Sequence, residues 1–341
     1  MKSDNVTKVL YYEGRFDQHI GKFLNSVVKY IPHQIAGVLS HNPDPTLEIF
    51  LDEKHIPLFT QFEKIGKFNH FVITQLHFDE KDLEESRNLL QKILDTGATV
   101  INGSHTLISH EFAGYESQII DLRGDTSKQK LFTGEIIKRD WQKRILTVGM
   151  DCNIGKMTAS LEIYKYMKEL GRDVEFVATG QIGMTITGRG IPLDKSIVDF
   201  TSGFMEDHLL EYNNQYLLIE GQGSMFTPLY SGLTLAQIHG SVPDYMILCI
   251  DPTREHPRYF PRIKLPSLEK AITLYEDAAR LVNPLAKVIG ISANTSSLDE
   301  AASISYLSSL KKQLNLPVFD PVKATVSGLS MEDLKSCTSQ Y

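Results

Sequence analysis

Cysteine, basic charge and long apolar runs are all scarce in this 341-residue sequence. The three cysteines, Cys152, Cys249 and Cys337, form no CxxC pair, which excludes a disulfide framework and the usual zinc or thiol-redox motifs. The net charge is −7, so the chain lacks the basic surface that binding to nucleic acid or to an anionic membrane requires. The sequence also lacks a secretory signal and the ~18–20 apolar residues that cross a bilayer. We therefore expect a soluble cytoplasmic protein with no nucleic-acid or membrane partner.

The composition that remains is typical of a folded globular chain. Apolar residues make up 42% and charged residues 23%, and at ~100–200 residues per domain the length favours two domains. In the first half, short apolar runs alternate with helical patterns such as 79–95, which is typical of parallel strands joined by crossover helices. These observations predict a Rossmann-like α/β domain at residues 1–140. Its strand candidates are 9–12, 35–39, 71–74, 98–101 and 119–122.

The second half repeats this alternation after the lone Trp141. A helix pattern at 156–170 stops before Gly171, a residue type common just past helix ends. The spacing Ser297-Leu-Asp-Glu300 predicts a capping box that opens a helix toward Leu314. We predict a P-loop NTPase-like domain at 141–341, with a doubly wound parallel sheet. Its six strand candidates are 145–148, 174–178, 216–220, 245–250, 287–292 and 316–320.

The strongest chemical signal is the sequence GMDCNIGKMT at 149–158, between a strand and an amphipathic helix. Such a loop points backbone N–H groups at an anion, while a lysine reaches the outer phosphates and a hydroxyl meets magnesium. The spacing departs from GxxxxGK[ST], because Met157 follows Lys156 and Thr158 must supply the hydroxyl. A chance glycine-lysine pair at a helix start is the alternative. The predicted cofactor-binding residues are Gly149, Asn153, Gly155, Lys156, Met157 and Thr158, and Asn294, which is placed to recognise a nucleobase edge.

Two acidic residues complete the predicted chemistry. Glu220 ends the apolar strand YLLIE and precedes glycines, a position from which it could hold magnesium together with Thr158. Asp151 lies inside the phosphate loop and could take a proton from a substrate amine, assist the metal, or serve only in the turn. Lys156, Asp151 and Glu220 are the candidate catalytic residues.

A glycine-rich segment at 179–190 predicts a loop that binds substrate. Arg189 is its candidate clamp for a carboxylate or phosphate, because a guanidinium group donates two parallel hydrogen bonds. Gln181 is a further candidate in the same segment. The alternative is a surface loop with an exposed arginine.

Three more residues are candidates for substrate binding. His239 precedes and Arg254 follows the strand at 245–250, and open α/β sheets bind ligands at the carboxyl ends of their strands. Arg15 follows the first strand of the first half and could line a cleft between domains. The alternative for each is an ordinary loop residue without a ligand.

The motifs also resemble known enzymes. GMDCNIGK and LLIEGQGS are similar to dethiobiotin synthetase, whose loop has the same spacing and aspartate, and Asn294 falls where that enzyme recognises adenine. Over nearly the whole chain, the sequence resembles the two-domain family that includes D-glutamate N-acetyltransferase. The matching motifs are YYEGRF, GATVINGSHTLIS, IIDLRG, GMDCNIGKMTAS, EFVATGQIGMTITGRGIPLD, LIEGQGSMFTPLYSG, HGSVPDYMILCIDPTR and GISANTS.

The family resemblance implies a Rossmann-like N-terminal domain, a P-loop C-terminal domain and acetyl transfer from acetyl-CoA to the amine of D-glutamate. On that account Gly155, Lys156 and Thr158 hold the coenzyme's phosphates, and Arg189 holds a substrate carboxylate. The resemblance implies no particular catalytic base.

Three functions remain in competition. The first is an amino-acid N-acetyltransferase with Asp151 or Glu220 as base. The second, favoured by the motif chemistry alone, is an ATP- and Mg²⁺-dependent ligase or kinase that activates a carboxylate or carbamate, with Lys156 stabilising the transferred phosphoryl group. The third, a nucleotide-switch ATPase, usually carries a lysine where this loop has Asp151. The expected ligands are an amino acid and either acetyl-CoA or ATP with Mg²⁺, and a monomer and a homo-oligomer are equally open.

Overall fold

The computed structural model describes residues 6–16, 21–75, 78, 80–124 and 130–323. The chain divides into two compact units, the first comprising 1–127 with 184–188 and the second 128–183 with 189–341. The predicted boundary between 140 and 141 falls later in the chain than this division. Residues before that boundary are fastened to the second unit, where buried Glu206 accepts hydrogen bonds from the backbone N–H of Thr133 (2.6 Å) and Ile136 (3.2 Å).

The first unit contains a six-stranded parallel sheet in the order β3-β2-β1-β4-β5-β6. This is the Rossmann strand order, so the predicted fold class is confirmed for this unit. The five predicted strands are present to within a residue or two, and β3 was not predicted because two residues are too short to show a period. The strands are β1 (Lys8–Tyr11), β2 (Ile35–Leu39), β3 (Leu58–Phe59), β4 (His70–Ile73), β5 (Thr99–Asn102) and β6 (Ile119–Asp121).

Helices cover this sheet and bury their apolar sides against it. The side of α3 that carries Leu90 and Ile93 packs with Phe71 and Val100 in the core, as the 3.6-residue period predicted. The start of α2 is capped by Asp44, whose carboxylate accepts a hydrogen bond from the N–H of Thr46 at 2.8 Å. The helices are α1 (Lys22–Tyr30), α2 (Pro45–Glu53) and α3 (Glu80–Asp95).

The second unit contains another six-stranded parallel sheet, in the order β12-β11-β10-β7-β9-β8. All six predicted strands are present, which confirms the predicted α/β fold. The sheet's first strand, β7, lies between β10 and β9, so the strand order reverses there, and such switch points bind ligands at the carboxyl edge. The strands are β7 (Lys143–Gly149), β8 (Val174–Val177), β9 (Tyr216–Ile219), β10 (Tyr245–Ile250), β11 (Lys287–Ala293) and β12 (Val318–Phe319).

Two local predictions in this half are wrong. The segment at 179–190, predicted to be a loop, contains a helix at Gln181–Thr187, and two of its glycines, Gly180 and Gly183, pack closely against Gln222 and Glu220. The helix toward Leu314 is capped by Asp299, whose carboxylate accepts from the N–H of Ala302 at 2.8 Å, and not by Ser297. The helices are α4 (Lys156–Glu169), α5 (Gln181–Thr187), α6 (Val198–Leu210), α7 (Ser231–Ser241), α8 (Leu268–Arg280) and α9 (Glu300–Leu314).

Gly171 has a φ of +72° just after α4, as its predicted place beyond the helix end requires. Within the described part of the chain, none of the helices combines the length and apolar character needed to cross a bilayer.

Candidate active site

The predicted phosphate loop joins β7 to α4 as a compact turn. Asn153 (φ +53°) and Gly155 (φ +101°) adopt left-handed backbone conformations that turn the chain into the helix. A Cβ atom on Gly149 would lie 2.9 Å from Cδ1 of Ile154 and 3.3 Å from the carbonyl oxygen of Asp151. The loop therefore closes tightly over its first glycine, and a larger residue there would force it open.

The first backbone N–H groups of α4 lack the carbonyl partners that the helix supplies to later residues. No described residue accepts a hydrogen bond from the N–H groups of Gly155, Lys156 or Met157. These groups carry the partial positive charge of the helix N-terminus, and a phosphate group is the usual acceptor in such a position. Met157, which stands where a hydroxyl residue is usual, is buried, whereas Thr158 is half-buried.

Lys156 is buried inside this loop. Its Nζ donates a hydrogen bond to the carbonyl oxygen of Asp151 at 2.8 Å, and the side chain is 7% exposed. Burial lowers the pKa of the Lys156 ammonium from its usual 10.5, while the nearby thiols and the carboxylates of Asp151 and Glu220 act in the opposite direction. A phosphate beside Lys156 would offset the cost of burying its charge.

Asp151 links the phosphate loop to the segment that follows β10. Its Oδ2 accepts hydrogen bonds from Nη1 of Arg254 at 2.7 Å and from the backbone N–H of Arg258 at 2.8 Å. The same Nη1 also donates to the carbonyl oxygen of Cys152 at 2.8 Å. Arg254, predicted to bind substrate, therefore neutralises Asp151 and holds the loop in shape.

Glu220 lies directly after β9 and is 5% exposed. Its Oε2 accepts a hydrogen bond from the backbone N–H of Thr179 at 3.1 Å, and its carbonyl oxygen accepts from the hydroxyl of Thr179 at 2.6 Å. A Cβ atom on Gly183 would lie 2.6 Å from Oε2 of Glu220. The glycines of the 180–183 segment thus give the carboxylate its space, a packing role that the sequence did not indicate.

Gly221 brings Glu220 against the phosphate loop. Its N–H donates to the hydroxyl of Thr147 on β7 at 2.9 Å. A Cβ atom there would lie 1.7 Å from the carbonyl oxygen of Thr147 and 3.2 Å from Cδ of Lys156. The acid-bearing strand and the lysine are therefore neighbours because glycine permits the contact.

Tyr275 on α8 is a residue of the site that the sequence did not reveal. Its hydroxyl donates to the carbonyl oxygen of Gly149 at 2.7 Å and accepts from the backbone N–H of Met225 at 3.2 Å. Burial raises the pKa of Tyr275 to about 12. In an amphipathic helix such a tyrosine resembles any core aromatic, so only the structure shows that it supports the loop.

Tyr275→Phe is expected to destabilise the protein by about 1–3 kcal/mol, because it leaves the buried carbonyl of Gly149 and N–H of Met225 without their partner. Urea denaturation followed by circular dichroism measures the loss. The control is Tyr166→Phe on α4, since the Tyr166 hydroxyl is buried without a hydrogen-bond partner among the described residues. Equal losses in the two variants would contradict the role of Tyr275.

Two other predicted residues lie in the same region. Asn294 follows β11, and a Cβ atom on Gly155 would be 4.0 Å from its Cβ. Gln181 is the first residue of α5 and is buried in the segment that packs on Glu220. The structure thus brings the phosphate loop, Asp151, Glu220, Asn294 and Arg254 together.

Arg189, the predicted clamp, contacts the segment that follows α6. Its guanidinium contacts Glu211 at 3.3 Å and stacks 3.8 Å from the ring centre of Tyr212. The backbone near Arg189 lies at the carboxyl end of β8, where the N–H of Ile191 donates to the carbonyl oxygen of Ala178 at 3.0 Å.

His239 and Arg15 make other contacts. His239 is near the end of α7, and its Nε2 lies 3.3 Å from the carbonyl oxygen of Ala278 on α8. Arg15 belongs to the first unit, where its side chain is exposed and its carbonyl oxygen accepts a hydrogen bond from Tyr12 at 2.8 Å.

The chain is similar to several known proteins. Residues 130–330 match a family described as a domain of unknown function (DUF1611_C), P-loop domain. A D-glutamate N-acetyltransferase from Tritonibacter scottomollicae is 38% identical over 248 residues, covering 70% of this chain and 73% of that protein. Another protein of that name, from a Pseudoalteromonas species, is 35% identical over 248 residues, covering 71% and 74%.

A solved structure extends the similarity to both units. The crystal structure of a DUF1611 family protein from Anabaena variabilis ATCC 29413 aligns with a TM-score of 0.83 at 28% identity and covers 98% of this chain and 100% of its own. These matches confirm the resemblance based on the eight motifs, and the chain belongs to the DUF1611 family of P-loop proteins.

Proposed function

We propose that the protein is an N-acetyltransferase that transfers the acetyl group of acetyl-CoA to the amine of D-glutamate or a similar amino acid. The observation that carries this proposal is the pair of relatives named for that reaction, at 38% and 35% identity over about 70% of the chain. The geometry of the phosphate loop is compatible with it, since the coenzyme carries a diphosphate.

The cations around the loop suit the phosphates of the coenzyme. The N–H groups of Gly155 and Met157, with the ammonium of Lys156, would hold the diphosphate. The segment fastened to Asp151 through the N–H of Arg258 also exposes basic side chains. Coenzyme A bears a further phosphate on its ribose, and Arg258, Arg262 and Lys264 are cations available to bind it.

Acetyl transfer needs a base and a stabilised oxyanion. The substrate ammonium gives up a proton, and the free amine then forms a C–N bond to the thioester carbon. The C–S bond breaks as the oxyanion collapses, the newly bonded nitrogen loses its second proton, and the departing thiolate is protonated to give free coenzyme A. Glu220 is the candidate base, because Asp151 is already paired with Arg254. Lys156 or a loop N–H group would stabilise the oxyanion.

An ATP- and Mg²⁺-dependent ligase is the second candidate function. It is favoured by the position of Glu220, a buried carboxylate at the carboxyl end of β9 beside the lysine of the loop. With ATP bound, Glu220 and the hydroxyl of Thr158 would be the oxygen ligands for Mg²⁺, which neutralises charge on the phosphates.

Product analysis separates the two functions. The full chain is incubated with D-glutamate and acetyl-CoA in one arm and with D-glutamate, ATP and Mg²⁺ in the other, and products are measured by mass spectrometry. We expect N-acetyl-D-glutamate and free coenzyme A in the first arm, unaffected by EDTA.

Glu220→Gln is expected to slow this turnover ~10²–10⁴-fold, whereas Glu169→Gln, at an exposed position on α4, should not. Turnover in the ATP arm alone would favour the ligase, and turnover in neither would exclude D-glutamate as the substrate of both reactions.

A further inference from the structure

The first unit has a cleft of its own, of 690 Å³, at the carboxyl ends of its central strands. Its walls are formed by residues that follow β1 to β4 and by one side of α3. The strand order reverses at β1, between β2 and β4, and open α/β sheets bind their ligands at such a point. The volume is within the ~300–1,000 Å³ range of small-molecule sites. The proposed acetyl transfer assigns nothing to this cleft.

Negative charge dominates the lining of this cleft. Four carboxylates, those of Glu13, Glu63, Asp82 and Glu85, face a single ammonium, Lys92. Lys92 is engaged with Glu63, 3.0 Å away. The charges of Glu13, Asp82 and Glu85 add to burial in raising the pKa of Tyr11 in the cleft wall to about 12. A cation is therefore the ligand that these walls attract.

The polar groups in the cleft need donors rather than acceptors. Nε2 of Gln75 donates to the carbonyl oxygen of Glu13 at 3.0 Å, while Oε1 of Gln75 is buried and accepts no hydrogen bond from the described residues. The carboxylate of Glu13 is held in place by the backbone N–H groups of His41 (2.5 Å) and Asn42 (3.4 Å), and its Oε1 lies 2.8 Å from Nδ1 of the His41 ring, which also lines the cleft. A ligand with several N–H donors complements these fixed acceptors.

Aromatic side chains supply the rest of the wall. Tyr11, Phe62 and Phe78 line the cleft and can cover alkyl carbons or the face of a cationic group. Across the part of the chain that the structure describes, no three His, Cys, Asp or Glu side chains are grouped to hold a metal ion. The combination of carboxylates with aromatic rings suits an organic cation better than a metal.

We propose that this cleft binds a small organic cation bearing ammonium or guanidinium groups, held by Asp82, Glu85 and Gln75 against Tyr11 and Phe78. Glutamate carries a net negative charge, so the cleft has the wrong sign for the proposed acetyl acceptor. The ligand is thus a second molecule, and its binding does not depend on the proposed transferase activity.

Isothermal titration calorimetry of the full chain tests this proposal, with spermidine and agmatine as probes and citrate as the anionic control. We expect heat with both amines, none with citrate, and weaker binding at high salt. Glu85→Lys is expected to weaken binding about tenfold or more, because it places a like charge at the rim. The matched control is Glu84→Lys, which alters an exposed glutamate on the same helix outside the cleft.

Both variants should fold, since Glu85 is exposed and its contact with Lys81 at 3.6 Å is a surface pair of little energetic value. Absence of heat with both amines would overturn the proposal. Equal weakening by Glu85→Lys and Glu84→Lys would overturn it as well, since binding would then depend on the net charge of the protein and not on the cleft. If millimolar Mg²⁺ abolished all amine binding, the proposal would be overturned in favour of a metal ion as the ligand of the cleft.

Discussion

Replacing Lys156 with alanine is expected to abolish stabilisation by acetyl-CoA and by ATP and to lower kcat/KM ~10²–10⁴-fold, the effect of losing about 3–5 kcal/mol from a buried charge pair. The Lys156 ammonium lies inside the loop, where it donates a hydrogen bond to the carbonyl oxygen of Asp151. A bound phosphate would offset the free-energy cost of burying this charge. Thermal shift measures the binding, because a ligand at ~100 times its Kd adds ~2.7 kcal/mol of stability.

The same substitution is expected to leave the ligand-free protein folded. Burial lowers the pKa of Lys156, which means that the fold is destabilised, not stabilised, by keeping this charge. Lys156→Met tests the point more sharply, because it retains the alkyl stem and removes only the ammonium. A melting temperature equal to or above that of the unaltered protein, combined with lost ligand binding, is the expected pattern.

Lys165→Ala is the control for this experiment. Lys165 is an exposed lysine on the same helix, so its loss changes net charge equally without touching the loop. Full ligand stabilisation in Lys156→Ala, or an equal loss in Lys165→Ala, would show that the phosphates are bound elsewhere. An equal loss in Lys165→Ala would mean that ligand binding depends on the overall electrostatic potential of the protein and not on one buried ammonium group.

Long apolar strands explain why most of the fold could be predicted. In a parallel sheet covered on both faces, strands are buried on both sides, so they are largely apolar runs in the sequence; β10 is buried along its whole length and β11 along all but its first residue. β3 has two residues and depends on pairing with β2, which no local pattern reports. Helix α5 was not predicted because glycines are typical of loops in a sequence, whereas Gly183 within the helix and Gly180 before it make space for Glu220.

The phosphate loop could be predicted because its parts are contiguous in the chain. The covalent backbone itself sets the spacing between Gly149, Gly155 and Lys156, so the motif carries its own geometry. Tyr275 comes from a helix more than a hundred residues later, and its contact with Gly149 exists only after folding. No residue type or spacing marks it as part of the site.

The substrate residues show the opposite limit. Arg189 was chosen for its chemistry, on the assumption that its segment was a loop at the carboxyl edge. The segment forms helix α5, and the guanidinium of Arg189 stacks on Tyr212 and contacts Glu211. Arg254 was correctly expected near the loop, but its charge is used to neutralise Asp151. Residue type predicts which ligands a side chain can bind, whereas the topology of the fold determines which groups the side chain contacts.

Gly221→Ala is expected to destabilise the protein by about 3–5 kcal/mol, at the upper end of single-residue effects. The added Cβ would lie 1.7 Å from the carbonyl oxygen of Thr147, a backbone atom of the adjacent strand β7 that cannot rotate away. Relief requires the chain after β9 to move off β7, which breaks the hydrogen bond from the N–H of Gly221 to the Thr147 hydroxyl and displaces Glu220 from Lys156. Molecules that remain folded should therefore also bind ligand poorly.

Gly232→Ala is the matched control, because no atom lies within 4 Å of a Cβ there and alanine favours helix α7 by ~1 kcal/mol. Urea denaturation of both variants measures the difference, and a Gly221→Ala protein as stable as the original would mean that β7 and the chain after β9 are not held as closely as the structure places them.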